Sequence, residues 1–200
     1  MKLRLKRKAP ICRIHFKVSN QFDMYKVRML TENDNDKLYR LYRNVAAQKR
    51  GLARSITEID KKYINALAHR SVTNGISFVI DHHNNTEIIA EIHCNGIGPK
   101  QFDHVLSNVT ILVNQHYQGK GLGKLIFKHL LTHIEEERTD ILRLELFTRE
   151  SNTKAISFYQ KLGFKIEGKF KNRVLTEESY LESDIAMAWF NRNYIKGQNL

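Results

Sequence analysis

The feature that most constrains this chain is the glycine-rich stretch Gln118-Gly119-Lys120-Gly121-Leu122-Gly123-Lys124, set between two apolar runs of different period. Before it, residues 105–113 (Val-Leu-Ser-Asn-Val-Thr-Ile-Leu-Val) are rich in β-branched side chains and short enough for a buried strand. After it, Leu122, Leu125, Ile126, Leu130 and Ile134 recur at helical spacing through Arg138. Strand, turn and helix therefore follow one another. Glycines at such a junction let several backbone N–H groups point outward together, and the helix N-terminus adds partial positive charge. An anion, most naturally a phosphate, is the expected occupant.

Three phosphate-binding loops compete for these residues, and spacing separates them. A nucleoside-triphosphate loop, G-x-x-x-x-G-K-[ST], would put Gln118 where glycine belongs and Leu125 where a hydroxyl must hold magnesium. The dinucleotide fingerprint G-x-G-x-x-G fits Gly119 and Gly121 but demands glycine at Lys124. The pattern Q/R-x-x-G-x-G/A is matched in full by Gln118, Gly121 and Gly123.

At that pattern, residues 111–123, and again at Asn152-Thr-Lys-Ala-Ile-Ser-Phe-Tyr-Gln-Lys-Leu-Gly-Phe164, the chain resembles the GNAT superfamily of acetyl-CoA-dependent N-acetyltransferases. The likeness runs from about Tyr25 to Phe190. It implies that backbone groups of Ile111, Leu112 and Val113 meet the pantetheine arm of acetyl-CoA. It also implies a pyrophosphate cradle in Gln118, Gly119, Lys120, Gly121, Leu122, Gly123 and Lys124. By the same resemblance Asn152 contacts the co-substrate, and Tyr159 both contacts it and protonates the departing thiolate. For the general base Glu91 ranks first and His104 second, with His93 and Glu145 also near the expected cleft. Strand alternation puts Glu91 and His93 on one face.

Two hundred residues suit one domain that buries about 70% of its unfolded-chain surface. The expected layout is a basic N-terminal extension at 1–20 with a short edge strand, an N-acetyltransferase domain at 21–192 and a terminal tail at 193–200. A net charge of +12 favours anionic partners. Five of the first eight residues are basic (Lys2, Arg4, Lys6, Arg7, Lys8), so part of the excess belongs to a solvated terminus. Cys12 and Cys94 form no dense disulfide framework, which suits reduced thiols in a cytoplasm. Neither a secretory apolar core nor an 18-residue apolar run occurs, so no membrane span is expected. His82-His83, in an Asn-rich turn, has no nearby acid or thiol to complete a tetrahedral set, so no metal is expected.

The remaining patterns give strand, two helices, three strands, helix, strand, helix, two strands. The strands are expected at 25–30, 76–80, 88–93, 105–113, 141–147, 164–168 and 183–189. The first two helices are expected through Val45 and over 57–70, and the last opens at Ser151 or Asn152 and stops at Gly163. Such an order makes an α/β (α+β) fold. The resemblance sharpens it to a mixed, largely antiparallel sheet with splayed central parallel strands and helices on both faces. Of Tyr39, Tyr42 and Tyr63, which lie in the expected acceptor wall, at least two read as core.

Function then reads as transfer of an acetyl group from acetyl-CoA to a primary amine, on a protein or a small molecule, directly within a ternary complex. No cysteine lies in either motif to carry the acetyl group. A non-catalytic acyl-CoA sensor or a nucleic-acid-associated module is the alternative. Nucleic acid is not expected as a partner, and a homodimer is left open.

Overall fold

A computed structural model describes residues 25–48, 52–176 and 178–195. The basic extension, its edge strand and Cys12 lie outside the described residues. Within them the order is β1 (Val27–Met29), α1 (Asn35–Ala46), α2 (Lys61–Thr73), β2 (Gly75–Asp81), β3 (Ile88–Gly96), β4 (Val105–Val113), α3 (Leu122–Glu137), β5 (Arg143–Arg149), α4 (Thr153–Lys161), β6 (Lys165–Leu175) and β7 (Leu181–Phe190). The seven strands form one sheet in the order β1-β2-β3-β4-β5-β7-β6. Every pairing is antiparallel except β4 with β5.

The period-2 alternation of β2 and β3 divides the core in two. Ile76, Phe78 and Ile80 of β2, with Ala90, Ile92 and Cys94 of β3, join Ile126, Phe127, Leu130 and Ile134 of α3. Val79 and Leu112 face the other way, onto Leu38, Leu41, Tyr42 and Val45 of α1 and Ile64 and Leu67 of α2. Helices thus cover both faces. On the α1/α2 side the middle strand presents polar residues, because Glu91 pairs with Val79 and His93 with Ser77.

Several boundaries differ from the sequence expectation for local reasons. The second helix starts at Lys61, not Thr57. Ser55 and Glu58 close a capping box around a separate 3₁₀ turn, and Asp60, in extended conformation, then caps α2 by accepting the Tyr63 N–H at 2.6 Å. The strand expected at 141 begins at Arg143, since the Ile141 N–H turns back to the Arg138 carbonyl. β6 and β7 are longer than their apolar cores because strand pairing carries the hairpin outward, and there Arg173 stacks over Phe147 and Phe170 at 4.5 and 4.9 Å. The chain end is tied down further than its composition suggests: Asn191 donates to the Ile134 and Ile141 carbonyls, and Asn193 to that of Glu135.

The edge of the sheet at β1 is fastened by one arginine. Arg28 donates to Asp34 through two nitrogens at 2.8 Å each, and to Asp81 at 2.5 and 2.9 Å. Burial would raise the Asp34 carboxyl, but hydrogen bonds from Arg28 and Thr31 outweigh it and hold its pKa below the ordinary carboxylate value. Arg28→Ala should cost about 1–3 kcal/mol by urea denaturation, since two nearly buried carboxylates lose a shared, partly exposed partner. The stability that Asp34 contributes is present above its unfolded pKa of about 3.9 and is lost as pH falls below it. Asp34→Asn should flatten that acid limb.

Candidate active site

The site begins where β4 leaves β5. Their parallel ladder holds only at Val105 with Arg143 and Leu106 with Leu144. Two residues later β4 carries a bulge: His93 pairs with Thr110 but Asn95 with Ser107, so three residues of β4 span two of β3, and Asn108 takes φ +57°. Asparagine tolerates this left-handed conformation better than most residues, and a bulge bends and twists its strand. Beyond Leu106, β4 keeps β3 on one edge and has no ladder partner on the other among the described residues.

The free stretch of β4 differs between its faces. Ile111 and Val113 point to α3, where a Cβ built at Gly123 would lie 3.7 and 3.8 Å from their side chains. Leu112 joins the α1/α2 core, and Thr110 is its neighbour on that face. After β4, Asn114 accepts the His116 N–H and shapes a 3₁₀ turn that delivers the chain to the glycines. Gly119 and Gly121 have φ +75° and +81°, the left-handed region that glycine enters without a Cβ clash. The first intrahelical bond of α3 runs from Leu125 N–H to the Gly121 carbonyl, so the Leu122, Gly123 and Lys124 amides lie ahead of the ladder. Open amides at a helix N-terminus are what a pyrophosphate needs. Lys120 and Lys124 are exposed beside them, Lys120 over the Tyr117 ring at 4.8 Å. Gln118, itself exposed, donates from Nε2 to the Val113 carbonyl at 3.1 Å.

On this same side α4 supplies Tyr159. Asn152 caps the helix, its Oδ1 accepting the Ala155 N–H at 3.2 Å. Gly163, at φ +97°, ends it: Gly163 N–H returns to Gln160 and Phe164 N–H to Tyr159. Tyr159 packs beside Phe127, Phe158 and Phe164, with ring centroids 5.5–5.9 Å apart. Burial pushes its phenol above the ordinary tyrosine pKa, so the hydroxyl keeps its proton at neutral pH.

The opposite face holds a buried polar cluster. Glu91 is 0% exposed, accepting from Ser77 Oγ at 2.9 Å and Tyr42 OH at 3.2 Å, and His93 Nδ1 lies 3.0 Å from it. A carboxylate this deep is tolerable only with such partners. Burial first, and then the negative charge of Glu91, drive the Tyr42 pKa well above its ordinary value. A neutral imidazole that donates from Nδ1 to Glu91 carries its free lone pair on Nε2. His93, not Glu91, lines a cavity of about 460 Å³ between the sheet and α2, together with Asn95, Asn108, Thr110, Tyr63 and Arg70.

Glu91 and His93 thus come together, with Tyr42 as a further member that reads from the sequence as plain core. Tyr42 is fully buried and Tyr39 packs against the α1/α2 core, while Tyr63 is the aromatic that reaches the cavity. His104 is not brought to this cluster. It precedes the joined end of β4, where its carbonyl accepts from the Leu142 and Arg143 amides. Glu145 is held by Arg143 at 2.5 Å. His82 and His83 stack at 3.9 Å on an outer turn. Only the pairing of a polar i, i+2 spacing with an inward tyrosine one helix earlier could have flagged Tyr42.

Known proteins share this fold. Over 57 residues the chain is 42% identical to a probable spermine N(1)-acetyltransferase of Bacillus subtilis subsp. natto, covering 28% of this chain and 37% of that protein. It therefore matches little more than a third of that curated relative. Among solved structures, an acetyltransferase of the GNAT family from Streptococcus pneumoniae superposes with a TM-score of 0.74 at 19% identity, covering 83% of this chain and 99% of its own. YncA, a putative acetyltransferase from Salmonella typhimurium solved with its cofactor acetyl-CoA, superposes with a TM-score of 0.71 at 13% identity, covering 88% and 97%. At these identities the structures share the fold. The acetyltransferase (GNAT) family model matches residues 47–164, more than half of the chain, and the chain belongs to that family.

Proposed function

We propose that the protein is an acetyl-CoA-dependent N-acetyltransferase that acts on a primary amine by direct transfer in a ternary complex. The observation that carries this reading is the parting of β4 from β5 between a glycine-shaped helix N-terminus on one face and a histidine-lined cavity on the other. The amides of Gly119 to Lys124 bind the pyrophosphate, and the free edge of β4 at Ile111 and Val113 receives the pantetheine, while the backbone of Leu112 faces β3. Gln118 already occupies the Val113 carbonyl, so Val113 contributes through its amide and its packing on Gly123. Bound acetyl-CoA supplies a thioester whose carbonyl is open to attack by a neutral amine.

The chain supplies the proton handling. Glu91 and Tyr42 hold the His93 ring, and His93 Nε2 takes a proton from the incoming ammonium or from a water beside it. Glu91 has no surface of its own and acts through His93. Tyr159 keeps its phenolic proton for the departing thiolate on the other side of the sheet. Cys94 offers no covalent alternative: it is fully buried, and burial pushes its thiol up to about 12.

In an acceptor screen that follows free CoA thiol, Tyr159→Phe should lower kcat about 10²-fold and leave the KM for acetyl-CoA within roughly twofold. Full activity in that variant would remove the proposed donor. His93→Gln should lower kcat by a similar factor. Glu91→Gln, acting through His93, should lower kcat about tenfold. Gly121→Ala should cost about 1–2 kcal/mol of stability because its φ is +81°, and should remove most of the thermal stabilisation given by acetyl-CoA. Stabilisation by acetyl-CoA with no thiol release from any amine would favour a sensor over an enzyme.

A further inference from the structure

The charge of the acceptor cavity identifies the class of amine it takes. We propose that the acceptor is a small primary amine that also carries an anionic group, a carboxylate or a phosphate, held by Arg54 and Arg70 while the amine meets His93. This rests on the acetyltransferase reading above and adds to it the substrate class.

Among the described residues that line the cavity there is no carboxylate, and the two formal charges are the guanidinium groups of Arg54 and Arg70. Glu91, which lies behind the wall, is fully buried and bonded to Ser77, Tyr42 and His93. Arg70 forms no ion pair among the described residues and is exposed on α2. Arg54 lies over the Tyr63 ring at 4.4 Å, which fixes its plane at the cavity wall. Its one acidic neighbour, Glu58, stands 3.4 Å away with both side chains about half exposed, an arrangement that neutralises little. An unpaired guanidinium beside one held only by an exposed glutamate repels a polycation and offers donors to a carboxylate or phosphate.

The cavity's volume, about 460 Å³, is that of a small-molecule site. The partial relative named as a probable spermine acetyltransferase would lead one to expect a polyamine, and the charge of this cavity argues the opposite.

The test compares amines that carry an anionic group with counterparts that lack it, by release of CoA thiol: β-alanine against β-alaninamide, aminoethyl phosphate against ethanolamine, with spermidine and an acidic tetrapeptide as further arms. The expected result is at least tenfold higher kcat/KM for one anion-bearing amine than for its counterpart, shrinking as salt is raised. Arg70→Ala should raise the KM for that amine about tenfold with kcat within twofold, and Arg70→Glu should reverse the preference. Its exposed position leaves the fold intact, which thermal stabilisation by acetyl-CoA verifies. Preference for spermidine, for a neutral amine or for the peptide would overturn the inference while leaving the acetyltransferase reading in place. So would an effect of Arg70→Ala confined to the KM for acetyl-CoA, which would assign the arginines to the donor. Failure of every amine to release thiol would overturn the acetyltransferase reading itself. In that case binding of β-alanine or aminoethyl phosphate to the acetyl-CoA-loaded protein, lost in Arg70→Ala, would still support the anionic site, and its absence would sink it.

Discussion

Everything in the site depends on one interrupted ladder. Parallel strands in a helix-covered sheet normally run side by side, but β4 and β5 share two residue pairs and then part. The bulge at Asn108 gives β4 an extra residue against β3 and bends it just beyond the last shared pair. Unpaired backbone edges are costly in a protein interior. The edge beyond Leu106 is therefore suited to pairing with a ligand that brings its own donors and acceptors, as an amide-bearing pantetheine does. The same bend sets the glycine turn at one end of the slot, and the cavity lined by His93 opens beside Asn108 and Thr110.

The buried polar stripe of Ser77, Glu91, His93 and Tyr42 is the second constraint, and it runs against stability. An apolar strand centre would cover α1 and α2 more cheaply than a carboxylate and an imidazole that must satisfy each other. Its members are matched by geometry: Glu91 accepts from Ser77 and Tyr42 and orients His93, leaving one imidazole nitrogen for the cavity. Tyr42 comes from the first helix, and Ser77 and Glu91 from adjacent strands. Docking of α1 onto the sheet is thus coupled to completion of the cluster.

Much of this was legible in the chain. The glycine turn, the strand before it and the helix after it followed from period and spacing, because local backbone geometry and capping depend on near neighbours. The Gly163 stop and the Asn152 cap were legible for the same reason. The Glu91 and His93 pairing on one face followed from alternation alone. Which of them meets the cavity did not, since that depends on how deeply α1 and α2 press on β3. Tyr42 and Tyr63 look alike in sequence, two aromatics on neighbouring helices. One is sealed against Glu91 and the other reaches solvent, because α2 sits nearer the rim.

The sequence by itself determined the glycine-rich turn, the order of elements and the family, since each is written in residues that lie close together along the chain. Tertiary structure decided what stands across the slot. It set Arg54 and Arg70 beside a buried carboxylate–imidazole pair and kept His104 at the joined end of β4. Those facts bring together residues as distant as Tyr42, Arg70 and Thr110, and no local pattern encodes them. The physical reason is that hydrogen bonding, burial and charge complementarity are properties of neighbours in space, which the chain acquires only when two helices close over one face of its sheet.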